Sequence, residues 1–84
     1  MSTDYAVATG NYITEWLTDN KKSVSTLAEG MRLPVKTVNS VIGGAPLDDD
    51  FANRLETATQ VKAQYWIKLE ALYRDDLKRL GFIN

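Results

Sequence analysis

Apolar residues recur along this chain at steps of three and four, in runs separated by capping and turn residues. Val24, Leu27, Ala28 and Met31 stand at i, i+3, i+4 and i+7, which predicts a short helix with one buried face. Ser23 precedes that run, where a hydroxyl can cap free N–H groups. After a break at Met31-Arg32-Leu33, Pro34 occupies a position suited to the first residue of a helix, where its missing N–H costs nothing. Val35, Val38, Val41 and Ile42 follow at helical spacing, and Gly43-Gly44 closes the run. Ala28 supplies the small side chain that two crossing helices need at their closest approach.

Two short helices joined by a tight turn over residues 23–44 form a helix-turn-helix pattern, whose second helix lies in the major groove of DNA. The β-branched content of VKTVNSVI also allows a strand. Helix is preferred because a strand would put Val35 and Val38 on opposite faces.

The remaining segments read the same way. Residues 1–8 lack a period and are expected to form an N-terminal tail. A first helix is predicted over 9–19, capped by Thr9, burying Tyr12, Ile13, Trp16 and Leu17, and closed by Asn20 and the cations Lys21 and Lys22. GGAPL is a turn. Asp48-Asp49-Asp50 could suggest a metal site, but Asp48 is better read as a helix cap, with Asp49 and Asp50 in a first turn that favours anions. That helix turns Phe51, Ala52, Leu55, Ala58 and Thr59 inward. After a break at 59–62, a long helix is predicted over 63–80, with Trp66, Leu69, Tyr73, Leu77 and Leu80 as a sustained seam. Gly81 ends it, leaving Phe82-Ile83-Asn84 as an apolar tail. The expected fold is all-α, a compact five-helix domain with a long C-terminal helix.

With 84 residues the chain makes one domain with one modest core, burying about 60–65% of its unfolded surface. It has no cysteine and no histidine, so it lacks disulfides, the usual metal ligand and the usual general base near neutral pH. No nucleophile, base and orienting group can be assembled, and no enzyme, metal or cofactor is expected. No apolar run is long enough to span a membrane, and a cytoplasmic protein is expected. The net charge is −1, but its distribution is uneven: −3 over 1–20, +3 over 21–44, −3 over 45–60 and +2 over 61–84. The basic excess therefore coincides with the helix-turn-helix pattern, and phosphate binding needs such a patch, not a basic chain overall.

From about Thr9 to Leu77 the chain resembles the HigA-like antitoxin branch of the XRE (Cro/CI-type) helix-turn-helix family. The resemblance is carried by Leu27-Ala28, Gly43 or Gly44, Ala52-Asn53-Arg54-Leu55, Tyr65-Trp66-Ile67-Lys68-Leu69 and Tyr73. It implies a lambda-repressor-like fold and a DNA-binding role. The family includes antitoxins, phage and mobile-element regulators, and domains fused to a zinc metallopeptidase, whose His-Glu-x-x-His is absent here. Two positions depart from the family pattern: Arg32 stands where a turn glycine is usual, and Gln60 where one is common. A left-handed Arg32 would cost roughly 1 kcal/mol.

By resemblance, the exposed positions of the second helix read bases: Pro34, Val35, Lys36, Asn39 and Ser40. Asn39 can pair bidentately with adenine, Val35 can touch a thymine methyl, and Lys36 can reach a guanine or a phosphate. Lys21, Lys22, Ser23, Arg32 and Thr37 are assigned to the DNA backbone. Tyr65, Ile67, Leu72, Phe82 and Ile83 are the apolar surplus assigned to a dimer or partner surface. The expected function is a sequence-specific transcriptional repressor, autoregulating its own promoter as an antitoxin or serving a phage or mobile element. Its expected partners are a palindromic operator, a second copy of the chain and a toxin protein. The alternative is a protein-binding module that neutralises a toxin, with DNA binding weak or lost. The acidic net charge, the three aspartates and the apolar surplus of the last helix motivate it.

Overall fold

The computed structural model describes residues 7–81. It contains five helices in the order α1 (Thr9–Asp19), α2 (Val24–Met31), α3 (Val35–Ile42), α4 (Asp49–Thr59) and α5 (Ala63–Arg79). No strand occurs among the described residues, so VKTVNSVI follows its three-and-four spacing and not its β propensity. The tail expected over 1–8 lies outside the described residues apart from Val7 and Ala8.

One core joins the helices. Ile13, Leu17, Leu27, Ala28, Met31, Val38, Val41, Leu47, Phe51, Ala52, Leu55, Ala63 and Trp66 are buried together. Helix α2 packs on α3 and α4, α1 on α3 and α5, and α4 on α5. Gly10 makes the α1–α3 approach feasible. A Cβ built there would lie 2.1 Å from the Ile42 carbonyl oxygen, so α1 touches the last turn of α3 backbone to backbone.

The helix ends show how the chain turns so tightly. Lys22 N–H donates to the Leu17 carbonyl at 2.9 Å, Leu33 N–H to Ala28 at 3.0 Å, and Ala45 N–H to Ser40 at 2.9 Å. Each bond reaches back five residues, the closure that a left-handed residue permits. Those residues are Lys21, Arg32 and Gly44, with φ of 55°, 58° and 116°. The left-handed position after α1 is therefore Lys21 and not Asn20, whose φ is −99°. Gln60 is also left-handed, with φ 63°, and ends α4 without a glycine.

Several capping expectations need correction. Pro34 is the N-cap of α3, one residue earlier than the first helical position, with ψ 145° and its carbonyl accepting from Thr37 and Val38. Thr9 does not cap α1. It lies inside the helix, buried, and its Oγ1 donates to Glu70 Oε1 at 2.7 Å. Ser23 and Asp48 do cap, accepting from Thr26 N–H at 3.1 Å and from Phe51 N–H at 2.8 Å.

The seam along α5 is covered only at its start. Ala63 and Trp66 are buried and Leu69 packs against the core, whereas Tyr73, Leu77 and Leu80 remain half-exposed. Tyr12 and Trp16, expected inside, are also only half-buried.

Candidate nucleic-acid interface

The helix-turn-helix segment starts at the Ser23 cap and turns at Arg32. Arg32 adopts φ 58° and ψ 43°, the conformation a glycine would take without strain. The strain is held by a contact from a different helix. Arg54 of α4 donates from Nη1 to the Met31 carbonyl at 2.9 Å, while its Nε donates to Asp50 Oδ2 at 2.9 Å. The guanidinium thus clamps the turn that sets how α3 leaves α2.

Helix α3 divides cleanly between two faces. Val38 and Val41 are buried. Pro34, Val35, Lys36, Thr37, Asn39 and Ser40 are all exposed, and Val35, Lys36, Asn39 and Ser40 fall on one stripe at i, i+1, i+4 and i+5. Val35 is 39% exposed, an apolar group on an otherwise polar face. Lys36 and Asn39 project donors and an acceptor into solvent. Ser40 Oγ donates to the Lys36 carbonyl at 3.0 Å, which leaves its lone pairs free to accept.

The cations of the helix-turn-helix segment are free among the described residues. Lys21, Lys22, Arg32 and Lys36 are exposed, and none forms an ion pair among the described residues. Elsewhere Arg54, Lys62, Arg74 and Arg79 are paired with Asp50, Glu56, Glu70 and Asp76, although Lys68 and Lys78 of α5 are not. The basic excess seen in the sequence thus remains available to phosphates instead of being neutralised within the fold.

The far end of α3 is tethered to α5. Glu70 is an acceptor for Thr9 Oγ1, for Leu47 N–H at 3.2 Å and for Arg74 Nε at 2.9 Å, and its side chain is only 12% exposed. Arg74 also donates from Nη2 to the Gly44 carbonyl at 3.2 Å. One carboxylate and one guanidinium therefore fasten α1, the α3–α4 loop and α5 together. Reading the sequence did not single out Arg54, Glu70 or Arg74 for this role. The only hint was the i, i+4 spacing of Asp50 with Arg54 and of Glu70 with Arg74.

The apolar surplus of α5 is exposed, but it does not form one stripe. Tyr65, Ile67 and Leu72 are 49%, 38% and 51% exposed. At about 100° per residue, Leu72 lies close to the direction of Tyr65, while Ile67 points to the other side. Phe82 and Ile83 lie outside the described residues.

No protein-family model matches the sequence, and no curated protein does. Solved structures are similar to it, among them two HigA proteins. An addiction module antidote protein of the HigA family from Coxiella burnetii is 26% identical, with a TM-score of 0.79 over 92% of this chain and 88% of that one. Antitoxin HigA from Pseudomonas aeruginosa, solved with the higBA promoter, is 24% identical, with a TM-score of 0.78 over 90% of this chain and 87% of that one, a likeness of fold. The similarity covers nine-tenths or more of the present chain. The chain shares its helical fold with these two HigA structures.

Proposed function

We propose that this chain is a sequence-specific DNA-binding repressor that acts on its own promoter as a HigA-like antitoxin. The observation that carries the reading is the exposed Val35–Lys36–Asn39–Ser40 stripe, in a segment whose cations are unpaired among the described residues. It is supported by a fold shared with an antitoxin solved with its promoter. In this reading α3 enters the major groove. Asn39 reads adenine, Lys36 reads guanine or a phosphate, and Val35 meets a thymine methyl. Pro34 and Ser40 border these contacts, while Lys21, Lys22, Ser23, Arg32 and Thr37 set the register on the phosphates.

One protomer offers few base contacts, so the active species is a homodimer on two half-sites about one helical turn apart. Of the exposed apolar groups of α5, Tyr65 and Leu72 share one side and are the surface assigned to a second copy or to a toxin, with Ile67 on the other side. In this reading the protein works in the cytoplasm as a regulator. No described helix is long and apolar enough to cross a membrane.

The variant Lys36→Ala/Asn39→Ala tests the base-reading face in a gel-shift assay on the DNA upstream of the gene. Both side chains are exposed, so the variant keeps its thermal stability while specific binding is lost. Retained operator affinity would refute the assignment.

A further inference from the structure

Beyond the DNA-reading face, a cleft of about 170 Å³ opens between α1 and α5. Its walls are Tyr12 and Trp16 of α1 with Tyr65 and Trp66 of α5, and its α1 rim carries Glu15 and Asp19. Tyr65 and Trp66 meet edge to face, with centroids 5.9 Å apart. Glu15 and Asp19 are exposed and unpaired among the described residues. The partly exposed rings of Tyr12, Trp16 and Tyr65, with the buried Trp66 beneath them, stand beside two free carboxylates and form a composite site. Ring faces attract a cation through their quadrupoles, and the carboxylates add charge-assisted hydrogen bonds.

The placement on α1 is also informative. Gly10 marks the side of α1 that touches α3. At about 100° per residue, Tyr12, Glu15, Trp16 and Asp19 centre on the opposite side. The cleft therefore faces away from the recognition helix, and an occupant there leaves the DNA-reading face open.

We propose that this cleft receives an arginine side chain from a basic segment of a protein partner. Charge complementarity selects the occupant: a planar guanidinium stacks on rings and binds carboxylates through its fork, which an apolar or acidic side chain cannot do. The site is separate from the DNA-reading surface, and nothing in it depends on DNA binding.

The test uses the ¹⁵N-labelled full chain and two peptides, acetyl-Gly-Arg-Gly-amide and its neutral isostere with citrulline. The chain has two tryptophans, Trp16 half-buried in the cleft wall and Trp66 buried beneath it, so their indole N–H signals respond to an occupant. The arginine peptide shifts both signals saturably, and the citrulline peptide binds about tenfold more weakly or not at all. The variant Glu15→Gln/Asp19→Asn weakens the arginine peptide by a similar factor and keeps DNA binding, whereas Glu29→Gln on α2 changes neither. Equal binding of both peptides, unmoved indole signals, or an unaffected Glu15→Gln/Asp19→Asn variant would overturn the proposal. Loss of DNA binding in wild-type protein would count against the repressor reading alone.

Discussion

Replacing Gly10 by alanine sets two opposed effects against each other, and the structure decides between them. Alanine is the better helix former, but Gly10 is the second residue of α1, so the gain is at most the roughly 0.5–1 kcal/mol of a helix interior. Against this, the new Cβ would sit 2.1 Å from the Ile42 carbonyl oxygen and 2.6 Å from the Ile42 carbonyl carbon and Cα. These are backbone atoms of α3, so no rotamer change clears them, and α1 must move away from α3. Overpacking of this kind costs about 1–3 kcal/mol, and a backbone obstacle belongs in the upper part of that range. The expected net loss is about 1–2 kcal/mol, a fall in Tm of roughly 5–15 °C for a chain of this size. Thermal unfolding followed by circular dichroism measures it. Gly30→Ala is the control, because its Cβ would meet only Ala58, at 3.3 Å from the Cβ and an ordinary 3.8 Å from the Cα. It should stay within about 1 kcal/mol of wild type, since helix propensity offsets the tight contact. A Gly10→Ala variant as stable as wild type would refute the close α1–α3 approach and the placement of α3 that depends on it.

Other substitutions separate stability from recognition. Arg54→Ala removes the clamp on the Met31 carbonyl and should cost about 1 kcal/mol, a figure discounted for its exposure, with weaker DNA binding in an anisotropy assay. Asp50→Ala removes only the exposed partner of that guanidinium, and urea unfolding should show a change of about 0.5 kcal/mol or less. Glu70→Ala leaves the donors of Thr9, Leu47 and Arg74 without their acceptor and should cost about 2–3 kcal/mol, with Glu70→Gln intermediate, as read by the urea midpoint. Arg32→Gly relieves a left-handed residue but adds unfolded-state freedom, so stability should rise by at most about 1 kcal/mol. If Arg32 contacts a phosphate as proposed, DNA affinity should fall, so stability and affinity move in opposite directions.

The helices and most of their boundaries were legible because their signals are local. Ser23 and Asp48 are caps wherever the helices they start are packed, and the buried faces of α2, α3 and α4 follow from three-and-four spacing. Departures arise where a distant partner intervenes. Thr9 has the chemistry of a cap, but a carboxylate 61 positions away claims its hydroxyl. Gly10 has no side chain to signal that α3 lies against it. Arg54 looks like half of a helical ion pair, and only the fold brings the Met31 carbonyl within its reach. The apolar seam of α5 is real as a pattern, yet periodicity identifies a face without naming what covers it. Its first turns meet α4 and α1, and its later turns keep their exposure. The assignment of Val35, Lys36 and Asn39 rests on their shared exposed face and on the family resemblance.

The central claim is that α3 reads DNA while the surrounding cations hold phosphates. Fluorescence anisotropy on the chain's own upstream DNA, beside a scrambled duplex, tests it most directly at two salt concentrations. If Lys21, Lys22 and Arg32 of each protomer in a dimer contact phosphates, affinity should fall by on the order of 10³ between 50 and 200 mM salt. The native duplex should remain far tighter than the scrambled one throughout. Equal, weak binding to both duplexes would contradict the account and leave the fold in the service of a protein partner.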